Sequence, residues 1–152
     1  MMGLGYARDM DTDTAERILS YAHRIAVVGL SPDPSRPSND VARALIDLGF
    51  EIVPVNPNVD EVFGLKSYPD LSDVPGDIDV VDVFRRTIYC EDLAQAAVAA
   101  GAKALWLQSG LVCGPARRVA EDAGLDYVED RCLKVEALRL RSVPNAAYRQ
   151  GS

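Results

Sequence analysis

The chain has 152 residues, 48% hydrophobic and 26% charged, with a formal net charge of −7. That length predicts one domain with a real core, and the acidic balance argues against a nucleic-acid partner, whose phosphate backbone needs a basic face. No apolar run reaches membrane-span length, and the first residues, MMGLGYARDMDTDTAE, lack the apolar centre of a signal peptide, so a cytoplasmic protein is expected.

In chain order, Asp13–Tyr21 predicts a leading helix and Arg24–Val28 a first strand, nearly continuous in apolar residues. The strand stops at Gly29, and a loop stiffened by Pro32, Pro34 and Pro37 leads to a helix over Asn39–Leu48, with Ser38 as its cap. Val41, Leu45 and Leu48 form its apolar stripe, and Gly49 ends it. Glu51–Val55 predicts the second strand, and a weaker edge strand lies near Lys66–Tyr68. Val80–Phe84, Ala104–Gln108 and Asp126–Glu129 predict three more strands. Between them come helices over Cys90–Ala100, ending at Gly101, and Pro115–Ala123, ending at Gly124. The recurring helix–glycine–strand unit predicts an α/β domain built on a doubly wound parallel sheet of five to six strands, spanning residues 12–140. Residues 1–11 and 141–152 are expected as flexible termini, with Leu138–Ser152 thinning into an aperiodic polar tail.

Ligands of an open parallel sheet sit beyond the carboxyl ends of its strands. That rule selects Gly29–Ser38, Asn56–Pro57, Arg85–Arg86 and Gln108–Gly110. In the first loop, Gly29 lets backbone approach an anion, while Ser31, Arg36 and Ser38 supply polar contacts beside a helix N-terminus. The loop lacks the second and third glycines of GxGxxG, and Asn56 stands where a nicotinamide enzyme places a ribose-binding carboxylate. Phe84 suits a ring, Arg85 a phosphate, and Gly110 a turn with positive φ. Asn56-Pro57 as a mere strand-ending turn, Ser38 as a mere cap and Phe84 as core remain competing readings.

The single histidine, His23, falls in the leading helix, away from every strand-end loop, so a histidine-activated nucleophile is nearly excluded. Cys90, Cys113 and Cys132 form neither a disulfide framework nor a zinc site. Cys132, after Arg131, and Cys113, before a helix start, are the candidates for thiol reactivity.

IAVVGLSPDPSRPS, VPVNP, FGLKSYPDL, DVVDVFRR, ALWLQSG and EDRCLKVE, in this order, resemble the stand-alone CoA-binding proteins with a Rossmann-like domain. The resemblance extends to the N-terminal CoA-binding domain of the succinyl-CoA synthetase α subunit and covers roughly residues 15–140. It implies coenzyme A as the bound cofactor. Gly29, Ser31, Arg36, Pro37 and Ser38 would line the phosphate pocket, Asn56 and Pro57 the adenosine, Phe84 and Arg85 the far wall, and Gln108 and Gly110 the rim. Asn58 stands where many relatives carry a basic residue. The synthetase's phosphorylated histidine domain has no counterpart in this sequence, so the expected role is non-catalytic: sensing or carrying CoA or an acyl-CoA, with a homodimer possible. The competing functions are an NAD(H)-binding redox sensor, cysteine-dependent thiol or acyl chemistry with CoA, and an interaction subunit with a vestigial pocket.

Overall fold

Each near-continuous apolar run becomes a strand covered on both faces. In the computed structural model, which describes residues 10–141, five strands form one parallel sheet: β1 (Arg24–Val28), β2 (Glu51–Val55), β5 (Val80–Val83), β6 (Ala104–Leu107) and β7 (Asp126–Val128). Their spatial order is β2-β1-β5-β6-β7. Two-residue strands β3 (Glu61–Val62) and β4 (Leu65–Lys66) make a separate antiparallel hairpin.

Successive side chains on a strand point to opposite faces, and two cores result. On one face, Ile25, Val27, Val80, Trp106 and Val128 pack against α1 (Met10–Tyr21), α2 (Pro37–Asp47) and α5 (Leu133–Arg141). On the other, Ala26, Val28, Val81, Leu105 and Leu107 pack against α3 (Cys90–Ala99) and α4 (Gly114–Asp122). This is the predicted doubly wound, Rossmann-like α/β fold with five strands in its main sheet. The segment expected as a sixth, edge strand joins that sheet only through a parallel bridge of Tyr68 to Val55. Pro69 follows directly and has no N–H to extend a ladder.

Several boundaries depart from the sequence reading; α1 begins at Met10, ahead of the expected Asp13. Helix α2 begins at Pro37 with Arg36 at the cap position, so Ser38 lies inside the first turn and is not the cap. Proline is pre-set for a first helical position, which draws the start forward. His23 lies beyond the end of α1, in the link to β1 at the amino end of the sheet. At the other terminus, Leu133, Ala137 and Leu140 form an i, i+4, i+7 stripe against the core, so the chain stays helical through Leu138–Arg141 where a tail is expected. The remainder of the two expected flexible termini, residues 1–9 and 142–152, lies outside the described residues. Among the described residues no helix is long and apolar enough to cross a membrane.

One polar group sits inside the first core. Asp82 is fully buried between Val27 and Trp106 in the sheet register; its Oδ1 accepts the Gln108 Nε2–H, and its Oδ2 has no partner. Burial pushes its carboxyl up to about 7, against which the Gln108 donor works only in part. Between the ordinary value of 3.8 and about 7 the folded protein keeps a proton that the unfolded chain has lost. Stability therefore falls as pH rises through that window. Asp82→Asn keeps an acceptor for Gln108 and carries no charge. It is expected to melt at the wild-type temperature at pH 5 and above it at pH 8; parallel pH profiles of the two proteins would contradict this.

Candidate functional site

The chain leaves β1 to one side to form β2, then crosses back over to form β5 on the other side of β1. The loops after β1 and β5 therefore diverge, which opens a crevice at the carboxyl ends of these two strands. Gly29 makes the crevice possible. Its φ is +89°, and a Cβ there would lie 2.5 Å from the Phe84 carbonyl oxygen and 3.1 Å from Arg85 Cδ. Its N–H donates to the Val55 carbonyl at 2.8 Å, tying the β1 and β2 ends together.

The loop from Ser31 to Ser38 is held by its own hydrogen bonds. The Ser31 N–H donates to Ser38 Oγ at 3.0 Å, and the Asp33 N–H donates to Ser31 Oγ at 3.0 Å. Asn39 Nδ2 donates to the Ser31 carbonyl at 2.9 Å, and the Ser35 N–H and hydroxyl both donate to Asp33 Oδ1, which keeps that carboxyl below its ordinary value. Ser38 is thus a buried brace for the loop. Proline leaves the first N–H of the helix missing, so the Ser38 amide begins the donor set of this helix end.

These elements enclose an open cleft of about 620 Å³, well within the range of small-molecule sites. Of the residues singled out from sequence, Gly29, Ser31, Arg36, Pro37, Ser38, Phe84, Arg85 and Gln108 line it. Asn56, Pro57 and Gly110 are outside its lining. Asn56 Nδ2 donates to the Leu30 carbonyl at 2.9 Å and its Oδ1 accepts from the Asn58 N–H at 2.9 Å, so both ends of the amide are occupied. Pro57 lies exposed just past it. The Gly110 N–H donates to Asp130 Oδ1 at 2.7 Å, clamping the loop after β6 to the loop after β7.

Val41, Arg86, Ser109, Leu111 and Cys132 complete the lining. Arg86 and Ser109 fall within the segments that the strand-end rule selects, and Val41 lies one turn beyond Ser38. Cys132 arrives by a tertiary route: the Trp106 indole N–H donates to the Arg131 carbonyl at 2.8 Å and the Arg131 N–H to the Leu107 carbonyl at 3.4 Å. The other two thiols are buried, and burial pushes Cys90 up to about 11.

The cleft gathers cationic side chains that no carboxylate among the described residues neutralises. Arg17, Arg24 and Arg117 each sit against carboxylates. Among the described residues, Arg36, Arg85 and Arg86 form no such ion pair, although Arg36 attracts Asp33 at longer range. Arg85 instead lies over the Tyr89 ring, 4.4 Å from its centroid. Among the described residues there is no cluster of histidine, cysteine, aspartate and glutamate able to hold a metal ion. Three cationic side chains, a helix N-terminus and a wall of Val41, Phe84 and Leu111 give the cleft a cationic side and an apolar side. A ligand combining phosphates with a ring and an aliphatic arm fits that donor set.

The chain belongs to the CoA-binding domain family, whose model matches residues 23–137. It is 41% identical over 120 residues to the uncharacterised protein YneT of Bacillus subtilis, covering 79% of this chain and 89% of that protein. A hypothetical protein of Pyrococcus horikoshii has the same fold, with a TM-score of 0.84 at 35% identity over 93% of this chain and 99% of that one. An ADP-forming acetate–CoA ligase of Methanocaldococcus jannaschii is 34% identical over 64 residues, 42% of this chain and 9% of the ligase.

Gly29 and Gly110 share a φ of +89°, but a Cβ at Gly110 would meet nothing within 4 Å. Gly110→Ala is therefore expected to lose only backbone strain, roughly 1–2 kcal/mol. Gly29→Ala adds the clash with Phe84 and should lose roughly 3 kcal/mol or more in urea unfolding. Equal losses would show that the β1–β5 approach carries no weight.

Proposed function

We propose that this protein binds coenzyme A, or an acyl-CoA, in the cleft between the ends of β1 and β5. The observation that carries the reading is the convergence of Arg36, Arg85 and Arg86, unpaired with carboxylates among the described residues, on one cleft of a chain whose net charge is −7. Uncompensated guanidinium groups beside a helix N-terminus are an anion site, since both place N–H donors and positive potential where phosphate oxygens can accept them. Arg36, Ser31 and the Ser38 amide receive phosphate, while Phe84, Val41 and Leu111 take the less polar parts of the ligand. Membership of the CoA-binding domain family supports the choice of CoA among anionic nucleotides.

The role is binding rather than turnover: sensing CoA or carrying it to a partner. The one histidine, His23, is at the opposite end of β1 from the cleft, so no imidazole is available there as a general base. Ligation belongs to the acetate–CoA ligases, of which the match spans 9% in the Methanocaldococcus protein. Binding is the share of that chemistry proposed for this chain.

Calorimetric titration with CoA, dephospho-CoA, acetyl-CoA and NAD⁺ tests the reading. CoA is expected to bind with micromolar affinity, and Arg36→Ala to weaken it roughly tenfold or more, the value of a charge-assisted hydrogen bond. Weaker binding of dephospho-CoA would mean that the 3′-phosphate is read although Asn58 carries no charge. NAD⁺ binding tighter than CoA, or no heat from any of the four, would overturn the reading.

A further inference from the structure

Resting on that reading, we propose that Tyr89 positions the Arg85 guanidinium for ligand phosphate, so that affinity depends on a side chain that does not itself line the cleft. Arg85 leaves the end of β5 with its stem against Gly29, Cδ lying 3.1 Å from where a Cβ would stand. Its head lies over the Tyr89 ring at 4.4 Å from the centroid. The side chain is thus held at both ends, stem in the glycine notch and head on the ring. A long flexible arginine that is already ordered loses less freedom when it grips an anion.

The backbone brings the two side chains together. Residues Thr87–Tyr89 form a 3₁₀ turn, closed by the Tyr89 N–H donating to the Arg86 carbonyl at 2.9 Å, which folds residue 89 back toward residue 85. Tyr89 then occupies the cap position of α3 but makes no side-chain capping bond, so its ring has no part in starting that helix. The ring is 37% exposed and belongs to neither core. Arg86 and then Arg85 hold its phenol below the ordinary tyrosine range, consistent with both guanidinium groups lying beside it.

The choice of partner matters chemically. A carboxylate would also orient Arg85, but it would cancel the charge and occupy the N–H fork that a phosphate needs. An aromatic face attracts the cation through its quadrupole and leaves the edge N–H donors and the full positive charge available. Arg17, Arg24 and Arg117 outside the cleft are held by carboxylates, whereas Arg85 in the cleft lies on a ring with no carboxylate against it among the described residues.

The test is titration of wild type, Tyr89→Phe, Tyr89→Leu, Arg85→Ala and the Tyr89→Leu/Arg85→Ala double variant with CoA and, in parallel, with inorganic pyrophosphate. Tyr89→Phe keeps the ring and should bind within about twofold of wild type. Tyr89→Leu should bind roughly three- to tenfold more weakly, and should have no further effect once Arg85 is alanine. An undiminished Tyr89→Leu, an equal loss in the Arg85→Ala background, or a Phe variant as weak as the Leu variant would each overturn the proposal. Thermal melts of the same set should coincide, which separates positioning from folding. Pyrophosphate binding that follows this pattern without CoA binding would keep Tyr89 and discard CoA as ligand. CoA binding indifferent to Tyr89→Leu would do the reverse, and binding of neither would overturn both.

Discussion

The contact between Gly29 and the Phe84 carbonyl is the constraint on which the site depends. Adjacent parallel strands lie at a fixed spacing, but the chain after β1 and the chain after β5 must turn to opposite faces because the sheet winds outward from that pair. With only a hydrogen at residue 29, the β1 end turns sharply without pushing the β5 end aside. Arg85 can then lie across the notch, and the Ser31–Ser38 loop can rise on the other side. A side chain at residue 29 would clash with the Phe84 carbonyl and force the ends of β1 and β5 apart, so the shape of the cleft depends on this position.

Charge is distributed in keeping with that geometry. At the amino end of the sheet, Asp79 accepts the N–H groups of His23 and Arg24 at 2.9 Å and meets Lys103 at 3.2 Å, so polar groups there are mutually satisfied. Along the α1 and α4 side, Arg17 meets Asp126 and Arg117 meets Asp11 and Glu121. Such exposed pairs add little stability each, but they neutralise the positive charge of these two arginines. Arg36, Arg85 and Arg86 are left to set the local potential. A protein of net charge −7 can therefore attract a polyanion to one cleft while repelling it elsewhere.

The strands were legible because parallel strands buried on both faces must be apolar throughout, and each run of this chain ends at a glycine, proline or polar pair. The strand-end rule then found the cleft, since topology alone decides where loops diverge. What sequence did not disclose was which polar atoms look into the cleft and which look away. Asn56 has the composition of a ligand contact, but its amide satisfies Leu30 and Asn58, a demand visible only when the β1 and β2 loops lie side by side. Cys132 reaches the wall through the Trp106 bond to Arg131, between segments 25 residues apart, which no local pattern encodes. The helix over Leu133–Arg141 was missed because its stripe of Leu133, Ala137 and Leu140 is short and one member is small.

The floor of the cleft departs from the rules that govern the rest of the core. Gln108 lines the cleft, donates to Asp82 below it and accepts the Leu133 N–H at 3.4 Å from the start of α5. Asp82 Oδ2 and Asn39 Oδ1 are buried oxygens without hydrogen-bond partners, and Asn39 is the neighbour of Ser38 in the first turn of α2. Unmet polar groups are expensive in a core, where nearly every buried one finds a partner. Here the two stand directly behind cleft-lining residues, and none is found at the amino end of the sheet among the described residues. An apolar side chain in place of Asp82 would pack that layer without leaving a buried carboxyl, but it would also leave the Gln108 amide without its acceptor beside the cleft. Stability is thus given up at the layer beneath the cleft, as expected where local packing is subordinate to the shape of a surface crevice.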